Sequence, residues 1–468
     1  MKILFLCASV PLCLCGSISR FCKARSFART HRTQYIRVTR ARSIAIVSTS
    51  QAKPPVQWNA NAEDMMAQTE TTRLNDLFSA AARRVPPGPP TGRGLSPDRV
   101  NFAVGAPDPT SMPTREIAAA TARAMERNGQ WALQYGASAG DAGLIAQLLL
   151  KLKRDNGVEA RPENVLITAG ASQAIDLVCA ALLDPEDVIL TEEPTFLGAL
   201  RLFRAHGATV VGIPMDDQGM QVDVLASRLA EFKAQGIRPK FLYTIPTFQN
   251  PTGVTTSLER RLRILALAKE YNVAVIEDDA YFDLRFTGDH LPMLITLDDA
   301  GLVIYTGTFS KIIGAGLRLG WIVGPELLIH KVTKLKADGG TSPFASHVVA
   351  EYAPSQLEGH VKELVAVYRN RRDTMIAALG AEMPAGVEWT EPEGGFFVWL
   401  TLPEGMDAVA MAPEAAAHGV DYMPGTVFYV NGEGRRNIRL AYSFTDEDTI
   451  RRGVTILAGI IREYLPTP

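Results

Sequence analysis

The chain predicts an α/β fold: a large domain with a mostly parallel seven-stranded sheet covered by helices, plus a smaller α+β domain. Three observations predict it. Seven short runs between residues 163 and 324 are almost continuously apolar, and each ends in a loop. Segments of helical period fall between several of them. Beyond about residue 345 the alternation gives way to one long helical segment and then two β-like runs.

The elements follow in order. Residues 1–62 hold ten Lys/Arg and no Asp or Glu, which leaves 38 basic against 50 acidic residues in the remaining 406, a net of −12. A body this acidic gives no basis for binding nucleic acid or an anionic membrane. MKILFLCASVPLCLCGSIS resembles a secretory signal, and the Arg/Ser-rich stretch after it reads as a transit peptide. The expectation is a leader over 1–62 that is removed on import into a mitochondrion or plastid. A basic tail and a start codon placed upstream of the true one are the open alternatives. The apolar run is too short and interrupted for stable membrane insertion. Four of the five cysteines fall within the first 22 residues, so the body, with Cys179 alone, has no disulfide framework and no cysteine metal site. Cys179 reads as a small core residue.

RRVPPGPPTGRGLSP (83–97) reads as an extended arm, and 63–114 as that arm with the start of the small domain. The large domain spans 115–344. REIAAATARAMERN (115–128) and LIAQLLLKLKRDNG (144–157) are its first helices, the second ending at Asn-Gly. Its strands are ENVLITAG, EDVILTEEP, ATVVGIPMD, PKFLYTIPT, VAVIEDDAY, LVIYTGTFS and LRLGWIVG. Near-continuous apolar strands joined through helices such as SLERRLRILALAKEYN mean a sheet buried on both faces. The small domain, 345–468, opens with a helix through HVKELVAVYRNRRDTMIAALG and continues in GGFFVWLTL and NIRLAYSF.

Ligands of such sheets bind beyond the carboxyl ends of the strands, and the residues there are distinctive. ITAG-ASQ passes straight into a helix, so Gly170, Ala171 and Ser172 offer backbone N–H groups to an anion. EEPTF supplies the ring of Phe196, and QNPTG supplies Asn250 in a loop stiffened by Pro251 and Gly253. IEDDAY sets Asp278 at a buried strand end, where a carboxylate wants a cation, with Tyr281 three residues on. TFSKIIGAGLRLGW holds Thr308, Ser310, Lys311 and Arg318. Singly, these residues read as a tight turn, a core ring, a turn residue and a helix cap. Together they fit one ligand carrying a phosphate, a cationic ring and a carbonyl that a lysine can attack. The phosphate takes the helix start, Thr308, Ser310 and Arg318. The ring lies on Phe196 with Asp278 at its nitrogen and Asn250 and Tyr281 at a ring oxygen. That ligand is pyridoxal 5'-phosphate, bonded to Lys311.

NPTG (250–253), EDDAY (277–281), TFSK with GLRLGW (308–321) and IRLAYSF (438–444), in this order, resemble the fold-type I pyridoxal-phosphate enzymes, class I/II aminotransferases of the aspartate aminotransferase superfamily. The resemblance runs from about residue 70 to 463. The branch it is most similar to holds 2-aminoadipate, kynurenine and aromatic aminotransferases and the MocR-type catalytic-like domains. It implies that Lys311 carries the cofactor, that Arg439 clamps the substrate α-carboxylate, and that the backbone of Gly105 approaches substrate. It also implies a homodimer in which Tyr135 reaches the phosphate across the interface. Phe196 stands where Tyr or Trp is frequent, Ala171 where Ser is common, and Thr308 where Ser is frequent. Arg73 is a candidate for reading an acidic side chain.

The activity implied is transfer of an amino group from an L-amino acid to a 2-oxo acid such as 2-oxoglutarate, by ping-pong kinetics, with Lys311 moving the α-carbon proton. A β-lyase or decarboxylase on the same scaffold is the alternative. A MocR-like effector domain needs a winged helix-turn-helix before the body, and residues 1–100 show none. GAGLRLG has the wrong spacing for a dinucleotide fingerprint and leads into a strand. The histidines at 206, 290, 330, 347, 360 and 418 are too scattered in sequence to suggest a metal site.

Overall fold

In the computed structural model, which describes residues 74, 76–85 and 99–465, strands β1 (Val100–Asn101), β2 (Val165–Thr168), β3 (Val188–Glu193), β4 (Thr209–Asp216), β5 (Gly219–Met220), β6 (Phe241–Thr244) and β7 (Ala274–Asp279) are followed by β8 (Val303–Thr308) and β9 (Gly320–Val323). The carboxyl-terminal part adds β10 (Glu388–Trp389), β11 (Phe397–Thr401), β12 (Val420–Asp421), β13 (Met423–Pro424) and β14 (Asn437–Ala441). The leader over 1–62 and Arg73 lie outside the described residues, as does most of the 83–97 stretch. Arg83 and Arg84 end a short helix, Ala80–Arg84, where an extended arm was expected. Ser79 caps that helix by accepting a hydrogen bond from Ala82 N.

The large sheet has the order β2-β9-β8-β7-β6-β3-β4-β5. Strands β4, β3, β6, β7 and β8 run parallel, while β9 is antiparallel to both β8 and β2. All seven expected strands are present. The eighth is a two-residue strand, too short to show periodicity, that hairpins onto β4. Alternation along each strand covers both faces. Ile276 and Ile304 pack with Ile175 and Val178 of the helix Ala171–Leu182. Their neighbours Val275 and Val303 pack on the other face with Ile264 and Leu267 of the helix Leu258–Tyr271. Cys179 is fully buried in the first of these layers.

Helix ends follow local chemistry. Asp141 caps Ala142–Asn156 through Leu144 N, and Gly157 closes that helix at φ 67°, a left-handed position that glycine takes without strain. A smaller antiparallel sheet, β10-β11-β14-β13, is flanked by the long helix Glu358–Glu382 and by Glu447–Glu463. Strand β1 pairs with β12, and Arg99 forks onto Asp421 beside it at 2.7 and 2.9 Å. Nearby, Asp108 pairs with Arg371 at 3.2 Å, both buried, so the segment after β1 is tied to the long helix. No helix among the described residues is long and apolar enough to cross a membrane.

Candidate active site

Three adjacent parallel strands end at one place. Asp278, next to last in β7, lies in register with Thr306 of β8, and β6 flanks the other side. The carboxylate accepts the Tyr243 hydroxyl at 2.5 Å on Oδ2 and the Thr306 hydroxyl at 3.4 Å on Oδ1. Burial pushes its pKa up to about 6, while Tyr243, Thr306 and the nearby Lys311 hold it down. It is therefore mostly ionised at neutral pH, and among the described residues its hydrogen-bond partners are hydroxyls, with no cation among them.

Strand β8 runs into a turn, Phe309–Lys311, that Thr308 caps by accepting from Ser310 N at 3.1 Å. The turn brings Lys311 into a cavity of about 330 Å³ shared with Asp278, Asn250, Tyr281 and Arg439. The ammonium donates to Gly105 O at 2.9 Å and stands 5.5 Å from the Phe396 ring centroid and 5.8 Å from that of Tyr281. Burial, then the Arg439 and Arg318 charges, bring its pKa down to about 8, against the pull of Asp278. A depressed lysine is deprotonated at lower pH, so its nucleophilic form accumulates earlier. In the cofactor-free chain, acylation of Lys311 is expected to rise with pH up to about 8 and then level off, where an ordinary lysine keeps rising toward 10.5. Brief labelling at a series of pH values with peptide mapping measures this. A rate still climbing beyond that plateau would show that the cavity does not depress the amine.

The anion end is built on glycine. Gly170, at φ 89°, precedes the helix Ala171–Leu182 and leaves the first-turn amides of Ala171 and Ser172 at the cavity wall. A Cβ at Gly170 would lie 2.7 Å from Arg318 Nη2, so the guanidinium crosses directly over this turn. Arg318 Nη2 also donates to Ala169 O at 2.9 Å. Thr308 Oγ1 lies 2.8 Å from Ser310 Oγ and 3.0 Å from Leu319 O. The two hydroxyls thus share the hydrogen bonds of the turn, and both side chains line the cavity.

At the opposite end, Arg439 of β14 donates from Nη1 to Asn250 Oδ1 at 3.0 Å and from Nη2 to Ala103 O at 2.7 Å. Its guanidinium stands 4.2 Å from the Phe397 ring centroid and 4.9 Å from that of Phe428. Its Nε is buried without a hydrogen-bond partner. Burial draws its pKa down to about 10, so it remains charged at neutral pH. Asn250 is held by the loop around it. Gln249 donates to Glu192 at 3.1 Å and to Pro194 O at 2.8 Å, and accepts from Thr252 N at 2.9 Å. Glu192, fully buried, also takes the Thr244 hydroxyl and Ile245 N.

The residues singled out in the sequence thus converge, with two exceptions. Gly170 shapes the wall without lining it, and Tyr135 is 86 % exposed at the surface of the single chain. Phe196 and Gly105 line the cavity, and a Cβ at Gly105 would come within 2.5 Å of the Phe397 ring. Sequence reasoning missed Tyr243, Thr306 and Phe428. For Tyr243 there was a signal: a phenol hydroxyl within a short buried strand needs a hydrogen-bond partner. The donor set suits pyridoxal phosphate. Among the described residues it offers an amide-and-guanidinium anion cradle, a carboxylate with no cationic hydrogen-bond partner, an amine with depressed pKa, and a buried Arg439 Nε with unspent donor capacity.

Comparison with known proteins agrees. The family model "Aminotransferase class I and II" matches residues 97–457. The chain is 38 % identical to aromatic-amino-acid aminotransferase 1 of Thermococcus litoralis, over 79 % of this chain and 89 % of that one. It is 37 % identical to the 2-aminoadipate transaminase of Thermus thermophilus, over 79 % of this chain and 91 % of the relative. Among solved structures, kynurenine aminotransferase of Pyrococcus horikoshii, in complex with PMP, superposes with a TM-score of 0.81 at 39 % identity, covering 84 % of this chain and 99 % of that one.

Proposed function

The chain belongs to the class I and II aminotransferases, and on that premise we propose that it moves the amino group of an aromatic or 2-aminoadipate-type L-amino acid to 2-oxoglutarate. The transaminase activity and the pyridoxal phosphate cofactor come with the family. The donor class is our reading, and one observation carries it. The carboxylate clamp is walled by apolar groups: Arg439 lies between Phe397 and Phe428, and Met423 is its register neighbour on β13. Such a wall favours a donor with an aromatic ring or a long methylene stem. The names of the relatives support the same classes.

The roles follow from position. Ala171, Ser172, Ser310 and Arg318 would hold the cofactor phosphate, Phe196 its ring face, Asp278 its ring nitrogen, and Asn250 with Tyr281 its ring oxygen. When bound, the cofactor supplies an electron sink for the pair left on the substrate α-carbon. Arg439 and Asn250 orient the α-carboxylate through a planar fork. Lys311, depressed toward neutrality, takes the α-carbon proton on Nζ and returns it. Asp278 stays charged and keeps a proton on the ring nitrogen.

Two further readings belong here. A homodimer would cover Trp131, Leu133 and Tyr135, exposed by 61, 72 and 86 %, and bring Tyr135 to a partner's phosphate; a monomer in sedimentation would remove it. Residues 1–62 would direct organelle import, and an intact amino terminus on the mature protein would remove that. The donor test is an absorbance titration of the purified holoenzyme with single amino acids. Aromatic amino acids, kynurenine or 2-aminoadipate are expected to convert the cofactor to its amine form, with reversal by 2-oxoglutarate. Conversion by branched or sulfur amino acids alone would overturn the donor class, and release of ammonia without an acceptor would favour the β-lyase alternative.

A further inference from the structure

Asp278 has a partner that the family motifs do not include. Tyr243, on the neighbouring strand β6, is fully buried and gives its hydroxyl to Asp278 Oδ2 at 2.5 Å. Its ring is fixed edge-on against Phe203, with centroids 5.3 Å apart. The opposite carboxylate oxygen has only the long Thr306 contact at 3.4 Å, so Tyr243 is the short bond that sets the position of the carboxylate. A neutral donor is the useful choice. A lysine or arginine there would spend the Asp278 charge on itself. A phenol hydrogen-bonds the ionised form and leaves the net charge of the carboxylate for another cation.

We propose that Tyr243 is a positioning residue for cofactor binding, which holds Asp278 ionised and aimed at the ring nitrogen. The proposal rests on the reading of Asp278 given above. The titratable groups that act on Asp278 are Tyr243 on β6, Lys311 beyond β8, Tyr281 following β7, and Glu192 near the end of β3, with the Thr306 hydroxyl on β8 as a further hydrogen-bond donor. Lys311 favours its ionised form, and Glu192 opposes it when charged. Burial already pushes Asp278 up to about 6, so losing one hydrogen bond to its charged form would carry the pKa toward neutrality.

The test is a double-mutant cycle of Tyr243→Phe and Asp278→Asn, read as the dissociation constant of pyridoxal phosphate from the full chain and as the pH at which the cofactor is half released. Tyr243→Phe keeps the ring and its contact with Phe203. It is expected to weaken cofactor binding roughly tenfold and to move the acid release point up by about one pH unit. In the Asp278→Asn background the same change is expected to do nothing more. A Tyr243→Phe variant with unchanged affinity and release point overturns the proposal. An equal loss in both backgrounds also overturns it, because the hydroxyl would then act through packing. If Asp278→Asn alone leaves affinity and release point unchanged, the reading of Asp278 fails, and the proposal with it. Melting of both variants without cofactor separates a folding defect from these outcomes.

Discussion

Lys311→Ala is expected to lower turnover by about a thousand-fold or more, since among the described residues it removes the one amine lining the cavity, which would move the α-carbon proton. The cofactor should still bind. The anion cradle around Gly170, Ser310 and Arg318 and the carboxylate of Asp278 do not depend on the lysine. The variant protein should therefore retain pyridoxal phosphate on a desalting column but lose it to denaturant without reduction of a covalent link. Gly105 O loses its donor as well, at the modest cost of one hydrogen bond that water can replace. Turnover equal to the parent chain would sink the role assigned to Lys311. Loss of cofactor together with turnover would mean that the covalent link, more than the cradle, holds it.

Asp278→Ala is the second large effect, with a rate expected to fall by about a hundred- to a thousand-fold. In the function proposed above, Asp278 is the carboxylate that would keep the ring nitrogen protonated. The substitution has a second readout, independent of rate. Among the groups acting on Lys311, Asp278 is the one that raises its pKa, while burial, Arg439 and Arg318 lower it. Removing Asp278 should therefore move the plateau in Lys311 acylation to lower pH. The change also strands the Tyr243 hydroxyl, so a matching Asp278→Asn variant isolates the charge from the orphaned donor. An unchanged rate would remove Asp278 from the mechanism, and an unmoved plateau would show that the two groups do not sense each other.

Much of this site was legible before any coordinates because its parts sit at strand ends. Lys311, Asp278 and Asn250 each follow or close an apolar run, and an α/β sheet delivers such positions to one edge, whereas Arg439, in the middle of β14 of the smaller sheet, was legible only through the family resemblance. What stayed hidden is lateral. Tyr243 and Thr306 belong to strands on either side of Asp278, and their contact with it depends on sheet order and register, which periodicity along one strand does not encode. The aromatic faces on Arg439 were hidden for the same reason. Phe397 and Phe428 meet it only after β11 pairs with β14 and a loop folds back.

The early segment beginning at β1 sets the order in which the protein can become active. Ala103 O accepts Arg439 across 336 residues, Ala106 O accepts Ser443 across 337, and β1 waits for β12. Gly105, which receives Lys311, lies in the same stretch. The partners Arg439 and Ser443 lie 336 and 337 residues downstream, and closing loops of that length is the slow, entropically costly part of assembly. The backbone partners of the lysine and the arginine, Gly105 O and Ala103 O, are set in place by a segment that itself docks onto β12 and β14. Interrupting the β1–β12 pairing is therefore expected to disturb the backbone partners of both Arg439 and Lys311, which sit in one short stretch after β1.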